Sequence, residues 1–281
     1  MAFLSSAADD APEKRLVYRH TLWVRIAHWV NAGVLLIMLM SGLQIFNAHP
    51  ALYWGATSHF DSPLLSMTAI RMPDGRIEGI TWIGRAHFDT TGVLGASEIF
   101  GQVTPRGFPA WATLPSWQSL AVGRQWHFFF AWIFVLNGLA FAAYAFLSRH
   151  FNRDLLPKTA DIRNLGKDIL DHLRLRFPKG KEALHYNVLQ KLAYFSVIYI
   201  VAPLIVLTGL TMSPTMDAAI PQLLFVFGGR QTARTTHFLC AFAFVGFFII
   251  HIVMVVLSGP LNNLRAIITG RTAIEPEAEN G

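Results

Sequence analysis

Long apolar runs dominate the chain, and four of them are long enough to cross a membrane, since a bilayer core of about 30 Å takes about 20 helical residues. The four runs are Leu22 to Phe46, Gln125 to Leu147, Leu192 to Met212 and Thr235 to Leu257. Pro203 falls inside the third run and should kink that helix, which neighbouring helices in a bundle can accommodate. The pattern predicts an all-α membrane protein, with a four-helix transmembrane bundle over residues 22–258.

The polar segments between these runs differ in their content of Lys and Arg. Residues 148–191 contain ten, the segment up to Arg25 contains four and the tail contains two, whereas 47–124 contains five and 213–234 contains two. Segments rich in Lys and Arg stay in the cytoplasm. We therefore predict a cytoplasmic loop over 148–191 and an outer loop over 47–124. The N-terminal segment 1–21 and the tail 259–281 should both be cytoplasmic.

Two of the polar segments contain a local pattern of their own. In the outer loop, Asp74-Gly75 separates two strand-like stretches, Met67 to Met72 and Arg76 to Ile83, which favours a tight two-residue turn and a small β-hairpin. In the cytoplasmic loop, apolar residues recur at helical spacing among basic ones, which predicts an amphipathic helix on the inner membrane surface. Those apolar residues are Ile162, Leu165, Ile169, Leu170 and Leu173.

Composition supports a membrane protein and narrows its chemistry. Of the 281 residues, 53% are hydrophobic and only 14% are charged, and the net charge of +6 is spread between the apolar runs instead of forming a nucleic-acid-binding stripe. Cys240 is the single cysteine, so this chain alone cannot form an internal disulfide, a CxxCH haem attachment or a cysteine-ligated iron–sulfur cluster. We interpret Cys240 as a small packing residue.

Four of the eleven histidines lie inside the apolar runs: His28, His127, His237 and His251. An ionisable side chain is costly at membrane depth, so each of these four is a functional candidate. The other histidines lie in loops, where a solvated or hydrogen-bonded side chain explains them.

The depths of the four histidines match in two pairs. His127 and His237 each lie two residues into a run that enters from outside, while His28 and His251 each lie about six residues from the inner end of a run. His237 and His251 are fourteen residues apart, close to four helical turns, so they face the same way at a separation of ~21 Å. Each pair supplies the two imidazoles that bind opposite faces of a haem, which predicts two haem b groups.

Other interpretations of these histidines stay open. A zinc or copper site needs three or four ligands at one depth, often with Cys or carboxylates, and the apolar runs supply two histidines at each level. Alternatively, the four histidines are core side chains that form hydrogen bonds between helices.

A few further residues fit a haem protein. Gly42 lies fourteen residues after His28, at the outer level, where a missing side chain would let a porphyrin lie against the backbone, although helix packing explains such a glycine equally well. Arg124, Arg230 and Arg234 lie at the outer ends of the second and fourth runs and could bind haem propionates. Ordinary interfacial arginines are the alternative for each.

These features resemble the Ni,Fe-hydrogenase and formate dehydrogenase gamma type of bacterial cytochrome b561. The likeness covers all four runs and rests on Arg25-Ile-Ala-His28-Trp29-Val-Asn31, His127-Phe128, and the spacing of His237 and His251. A closer likeness, to the thiosulfate reductase cytochrome b subunits, rests on four further stretches. They are Ser41 to Pro50, Met212-Ser213-Pro214, Phe227 to Gln231, and Ala233-Arg234.

The resemblance implies a membrane di-haem electron-transport subunit of the bacterial inner membrane. It implies His28 with His251 on the inner haem iron and His127 with His237 on the outer one. It also implies quinone or quinol as substrate, with His185 and Tyr186 as candidates for its site, and a periplasmic oxidoreductase partner of the molybdopterin type. This chain differs from the short cytochromes b561 of the group in having a long outer loop.

Two other functions remain open from the sequence. One is a stand-alone haem oxidoreductase that acts on superoxide or a soluble acceptor. The other is a haem-free transporter or membrane anchor, although transport favours polar residues at the midplane, where this chain is apolar.

Overall fold

Four helices are long and apolar enough to cross a membrane in the computed structural model, which describes residues 15–156, 165–174 and 187–274. They are Leu22–Phe46, Leu120–Leu147, Val188–Thr211 and Arg230–Leu257. The four predicted spans are thereby confirmed. The last three helices begin four or five residues before the predicted spans, because polar residues such as Gln190, Arg124 and Arg230 are accommodated in their first turns.

The helices are numbered here in chain order. They are α1 (Leu22–Phe46), α2 (Leu120–Leu147), α3 (Leu165–Leu173), α4 (Val188–Ser196), α5 (Ala202–Thr211), α6 (Pro214–Ala219), α7 (Pro221–Val226), α8 (Arg230–Leu257) and α9 (Pro260–Thr269). A 3-10 turn at Ala110–Ala112 and π-helical turns at Phe151–Leu155 and Val197–Val201 complete the helical elements of the described chain.

The π-helical turn Val197–Val201 lies inside the third span, between α4 and α5. Pro203 follows it in the first turn of α5 and has no N–H to donate to the carbonyl of Tyr199. A wider π turn accommodates the missing hydrogen bond. The structure thus has a π turn just before Pro203, and the kink predicted there stays a prediction.

Helix α3 matches the amphipathic helix predicted in the cytoplasmic loop. Ile169 and Leu170 are exposed on it, as a helix lying on a lipid surface requires. Ile162, the first residue of the predicted apolar stripe, lies outside the described residues. The position of α3 on the inner membrane surface stays a prediction.

The outer loop contains more β-structure than the small hairpin that we predicted. Its strands are β2 (Ala51–Leu52), β3 (Leu65–Arg71), β4 (Ile77–Ile83), β5 (Ala86–Asp89), β6 (Ala96–Ile99) and β7 (Gln102–Pro105). The first four form an antiparallel sheet in the order β2-β3-β4-β5, and β6 and β7 form a separate hairpin. The expectation of an all-α fold with one hairpin is therefore corrected to four long helices with a β-rich outer loop.

The predicted hairpin exists as β3 and β4, but its turn differs from the prediction. Met72 N donates to Arg76 O at 2.8 Å, which leaves a three-residue loop instead of a two-residue one. A two-residue turn of type I′ needs positive φ at both Asp74 and Gly75. Only Gly75 has it, at 85°, because Pro73 favours an ordinary first turn that Gly75 then closes in the left-handed region.

The described chain divides into two compact units, and all four long helices contribute residues to both. The described residues of the first unit fall within Met1–Ile26, Phe141–Ser196 and Phe247–Gly281. In it, β1 (Arg15–Tyr18) pairs antiparallel with β8 (Arg271–Ile274), which brings the two ends of the described chain together. Both ends therefore lie on one side of a membrane, as an even number of spans requires.

The second unit contains Ala27–Ala140 and Val197–Gly246, and so includes the whole outer loop. A buried cluster of Phe46, Leu52, Met67 and Phe108 joins the end of α1 to the outer loop. Asn47 fastens the same junction, since its side chain accepts a hydrogen bond from Phe108 N at 2.6 Å and donates one to Phe108 O at 3.2 Å.

Candidate functional site

His127 and His237 face each other in the second unit. His127 lies seven residues after α2 begins at Leu120, and His237 lies seven residues after α8 begins at Arg230. Their ring centroids are 6.2 Å apart, with an angle of 63° between the ring planes. The structure therefore brings together the two histidines that the sequence assigns to the outer level.

The Nδ1 atom of each ring is held by a backbone carbonyl of a different helix. His127 Nδ1 lies 3.1 Å from Met38 O of α1, and His237 Nδ1 lies 2.9 Å from Ile205 O of α5. A carbonyl can only accept, so each Nδ1 carries the proton and donates it. Each Nε2 is then an unprotonated nitrogen with a lone pair, which is the form that binds a metal.

A hydroxyl group supports each of these contacts. Ser41 Oγ lies 3.2 Å from His127 Nδ1, and Thr208 Oγ1 lies 3.3 Å from His237 Nδ1. Both hydroxyls donate their own proton to a helical carbonyl at 2.7 Å, and their oxygens remain available to accept from the imidazole. Both residues are fully buried, so the arrangement is shielded from water.

A glycine follows each hydroxyl residue and gives the imidazole its space. A Cβ atom at Gly42 would lie 3.3 Å from Cε1 of His127, and one at Gly209 would lie 3.2 Å from Cε1 of His237. Such contacts are tighter than ordinary van der Waals packing, so a methyl group at either position pushes on the ring. Each candidate haem ligand thus lies in a cradle formed by a carbonyl, a hydroxyl and a glycine of one helix. The cradle of His127 is Met38, Ser41 and Gly42 of α1, and that of His237 is Ile205, Thr208 and Gly209 of α5.

Sequence reasoning found Gly42 but missed Ser41, Thr208 and Gly209. The signal was present, because Thr208-Gly209 repeats in the third span the hydroxyl–glycine pair of Ser41-Gly42 in the first. Gly42 was expected to make room for a porphyrin, and the structure places the His127 ring against it. A porphyrin contact at Gly42 stays a prediction.

The three arginines proposed as propionate partners have different surroundings. Arg230 pairs with Asp217 at 2.5 Å on the surface, and the Arg124 guanidinium lies 5.4 Å from the centroid of the Phe128 ring. Arg234 lies over the Phe46 ring and donates to the carbonyl of Ala51 at 2.6 Å and to that of His49. Of the three, Arg230 already has a carboxylate partner, whereas Arg234 contacts backbone oxygens and a ring among the residues that the structure describes.

His28 and His251 belong to different compact units, and each is described within its own. His28 contacts the edge of Trp29, and near it Asn137 of α2 donates to Ala27 O at 3.1 Å, which ties α2 to α1. His251 stacks on Phe247, with ring centroids 5.7 Å apart. Their pairing on an inner haem remains a prediction from depth.

The remaining predictions concern Cys240, the quinone site and the alternative of a zinc or copper site. Cys240 is buried, as a packing residue should be. His185 and Tyr186, the candidates for a quinone site, lie outside the described residues. Within residues 15–156, 165–174 and 187–274, no three His, Cys, Asp or Glu side chains converge as a zinc or copper site would require.

The fold and the paired histidines define a helical membrane protein with a two-imidazole centre near one end of its spans. The chain belongs to the prokaryotic cytochrome b561 family, whose profile matches residues 19–270. It is thus a bacterial membrane protein that binds haem b and transfers electrons. This confirms the family predicted from the four histidines, while the likeness to thiosulfate reductase subunits stays a prediction.

One curated relative is similar over almost its whole length. It is YedZ1 of Azospira oryzae, described as a candidate subunit of a protein-methionine-sulfoxide reductase. The two sequences are 26% identical over 245 residues, which is 87% of this chain and 93% of the relative. No solved structure matches the chain.

The His127–His237 site fits a haem iron. Two imidazoles that bind opposite faces of one metal, each through a bond of about 2 Å, have ring centroids ~6 Å apart. The observed separation of 6.2 Å agrees with that value. The donor set also fits, because both Nδ1 atoms are engaged by carbonyls and both Nε2 atoms are left for the metal.

Proposed function

We propose that this chain is the di-haem electron-transfer subunit of a respiratory oxidoreductase complex, between the quinone pool and an enzyme on the outer side of the inner membrane. The observation that carries the proposal is the facing pair His127 and His237, held in matching cradles at a separation suited to a bis-imidazole haem. The family supports the haem, and the description of the relative as a reductase subunit supports a redox partner.

In this proposal the histidines hold two haem groups, which when bound supply one-electron redox chemistry. His127 and His237 hold the outer group, and His28 and His251 hold the inner group. The fixed Nδ1 donors orient the rings and raise the basicity of the Nε2 atoms, which favours the oxidised iron. The apolar helices exclude water and keep the surrounding dielectric low.

The partner is proposed to be an extracytoplasmic enzyme of the molybdopterin type. The outer loop supports docking of a protein there, because its turns present large exposed aromatic side chains. Phe60, Phe100 and Trp111 are 73%, 94% and 78% exposed. A stand-alone oxidoreductase has no need of such a surface. The quinone site is proposed near His185 and Tyr186 on the inner side, on the family resemblance.

Purification from native membranes tests this function. We expect a second, redox-active subunit to co-purify with this chain. We also expect a quinol analogue to reduce the haem of this chain. Addition of the partner's oxidised substrate should then reoxidise the haem only when the second subunit is present. Turnover by the isolated chain with superoxide or a soluble acceptor, at the rate of the complex, would contradict the proposal and support a stand-alone enzyme.

Two matched variants distinguish the effect of losing a haem ligand from the effect of changing the outer loop. His127→Ala should abolish transfer to the partner, because it removes an outer ligand. His87→Ala removes an exposed histidine of strand β5 in the outer loop and should leave transfer unchanged. Equal loss in both variants would show that the outer loop, and not the ligand, limits the reaction.

A further inference from the structure

Arg234 is a half-buried cation for which the described part of the chain offers no carboxylate. It lies on α8 one turn before His237, on the side of the outer loop. Its two Nη atoms donate to the backbone carbonyls of His49 and Ala51, and its guanidinium lies 5.2 Å from the centroid of the Phe46 ring. A guanidinium has five N–H donors, so three remain available. A partly buried cation is stabilised by a nearby anion, and these remaining N–H groups can donate to one.

His49 lies beside Arg234 and has a buried nitrogen atom without a partner. Its ring stacks on Tyr53, with centroids 5.6 Å apart, and contacts the edge of Phe60 at 5.8 Å. Nε2 is shielded from water and has no hydrogen-bond partner among the residues that the structure describes. A buried polar nitrogen left unpaired is destabilising, so an unpaired one in a native site points to a bound ligand or an ordered water.

The charge state of His49 suits a hydrogen-bond donor to an anion. Burial, and secondarily the charge of Arg234, lowers the pKa of His49. The imidazole is therefore neutral at neutral pH and keeps one N–H, which Nε2 can carry. A carboxylate between Nε2 and the guanidinium would satisfy both groups with charge-assisted hydrogen bonds.

The segment that contains His49 is fastened along the first turns of α8. Thr235 Oγ1 donates to Tyr53 O at 2.7 Å, and Thr232 Oγ1 accepts from Gly55 N at 2.8 Å. These bonds, with the two from Arg234, hold the backbone of residues 49–55 against the helix that carries His237. His49 and Arg234 are thus kept in place before any ligand binds, which reduces the entropy lost on binding.

We propose that His49 Nε2 and Arg234 together bind one carboxylate, a propionate of the haem held by His127 and His237. This inference rests on the proposed function, because it requires a haem at the outer site. His49 then acts as a positioning residue for the haem. Its N–H withdraws negative charge from the propionate and raises the affinity of the iron for an electron.

Substitution of His49 tests the proposal through the haem itself. His49→Phe keeps an aromatic ring to stack on Tyr53 but removes the nitrogen, and His49→Gln restores an N–H donor. We expect His49→Phe to retain both haems, to lower the midpoint potential of one of them in a spectroelectrochemical titration, and to shift the propionate bending band in resonance Raman spectra. His49→Gln should lie between His49→Phe and the parent protein. His49→Leu should behave as His49→Phe does and serves where the phenylalanine variant does not fold.

His87→Phe is the matched control, since it removes an exposed histidine of the same outer loop. It should leave both the potential and the Raman band at their parent values. Parent values in His49→Phe or His49→Leu, with both haems retained, would overturn the inference and indicate that water satisfies Nε2. That result would leave the proposed function standing, whereas a parent protein without haem would overturn both.

Discussion

Single hydrogen bonds decide which nitrogen of each outer histidine can bind iron. Met38 O and Ile205 O each accept the proton of an Nδ1 atom, which fixes the tautomer and the ring plane of His127 and His237. The two carbonyls belong to helices that carry no outer ligand themselves. All four long helices therefore contribute to one centre, two with ligands and two with the groups that orient them.

Substitution of the two cradle glycines by alanine should weaken binding of the outer haem. Gly42→Ala and Gly209→Ala each place a methyl group 3.2–3.3 Å from an imidazole carbon, so the ring must shift by a few tenths of an ångström. We expect each variant to weaken binding of the outer haem, with overpacking costing about 1–3 kcal/mol. Haem content and the visible spectrum of the purified variants measure the effect.

Gly33→Ala is the control for Gly42→Ala, since both glycines lie on α1 and a Cβ at Gly33 meets nothing within 4 Å. It should retain the parent spectrum, and it removes a residue of poor helix propensity. A full complement of haem with unchanged spectra in both Gly42→Ala and Gly209→Ala would show that the cradles do not constrain the rings.

At the scale of elements, a buried arginine organises the return of the outer loop to α2. Arg106 is 3% exposed and donates to Phe108 O, Ser116 O and Thr113 Oγ1. Burial lowers the pKa of Arg106, but an arginine remains charged at neutral pH. Its fork of donors joins three acceptors that are spread along this irregular segment.

Arg106→Met should therefore destabilise the outer loop. Three hydrogen bonds from a charged donor are lost, each contributing about 1.5–3 kcal/mol. We expect faster proteolysis of the loop and a lower apparent Tm in detergent. Arg85→Met removes an exposed arginine of the same loop and should match the parent protein. Equal protease resistance in both variants would contradict the role assigned to Arg106.

The β3–β4 turn predicts a local dependence on pH. Asp74 accepts hydrogen bonds from the side chain and the backbone N–H of Arg76, and these bonds lower the pKa of its carboxyl group. Because folding lowers this pKa, the ionised carboxylate stabilises the turn at pH values above the pKa of an unfolded aspartate. This stability is lost as the pH falls through the lower pKa of the folded protein.

Hydrogen exchange at the Arg76 amide measures this effect. Exchange, corrected for the intrinsic rate, should accelerate as the turn is acidified, and Asp74→Asn should show fast exchange at neutral pH with little further change. Asp61→Asn, elsewhere in the outer loop, should retain the parent profile. A parent profile without acceleration at low pH would contradict the assigned role of the carboxylate.

At the scale of the whole molecule, helical period and membrane depth are the properties that the sequence predicts best. Helical periodicity and span boundaries are local properties, so the four helices and the facing of His127 and His237 could be predicted. The carbonyl contacts of the cradles could not, because the Met38 and Ile205 carbonyls belong to the backbone, and a sequence does not distinguish one carbonyl from another. Their place beside the histidines depends on how separate helices pack.

The β-structure of the outer loop was mostly beyond prediction for a related reason. Only the β3–β4 pairing is signalled locally, by Asp74-Gly75, and even there Pro73 changes the loop length. Strand β2 has two residues and pairs with β3 across a long irregular connection, so neither its length nor its spacing marks it. Such pairing is fixed by tertiary contacts, here around Leu52 and Met67.

The proposed function requires that four histidines hold two haem groups in one chain. The most direct measurement is the haem-to-protein ratio of purified parent, His28→Ala, His127→Ala, His237→Ala and His251→Ala proteins. We expect two haem b groups per parent chain and about one per chain in each variant. His127→Ala and His237→Ala should lose the same spectral component, and His28→Ala and His251→Ala the other. A colourless parent protein, or variants of His127 and His237 that retain both haems, would contradict the account.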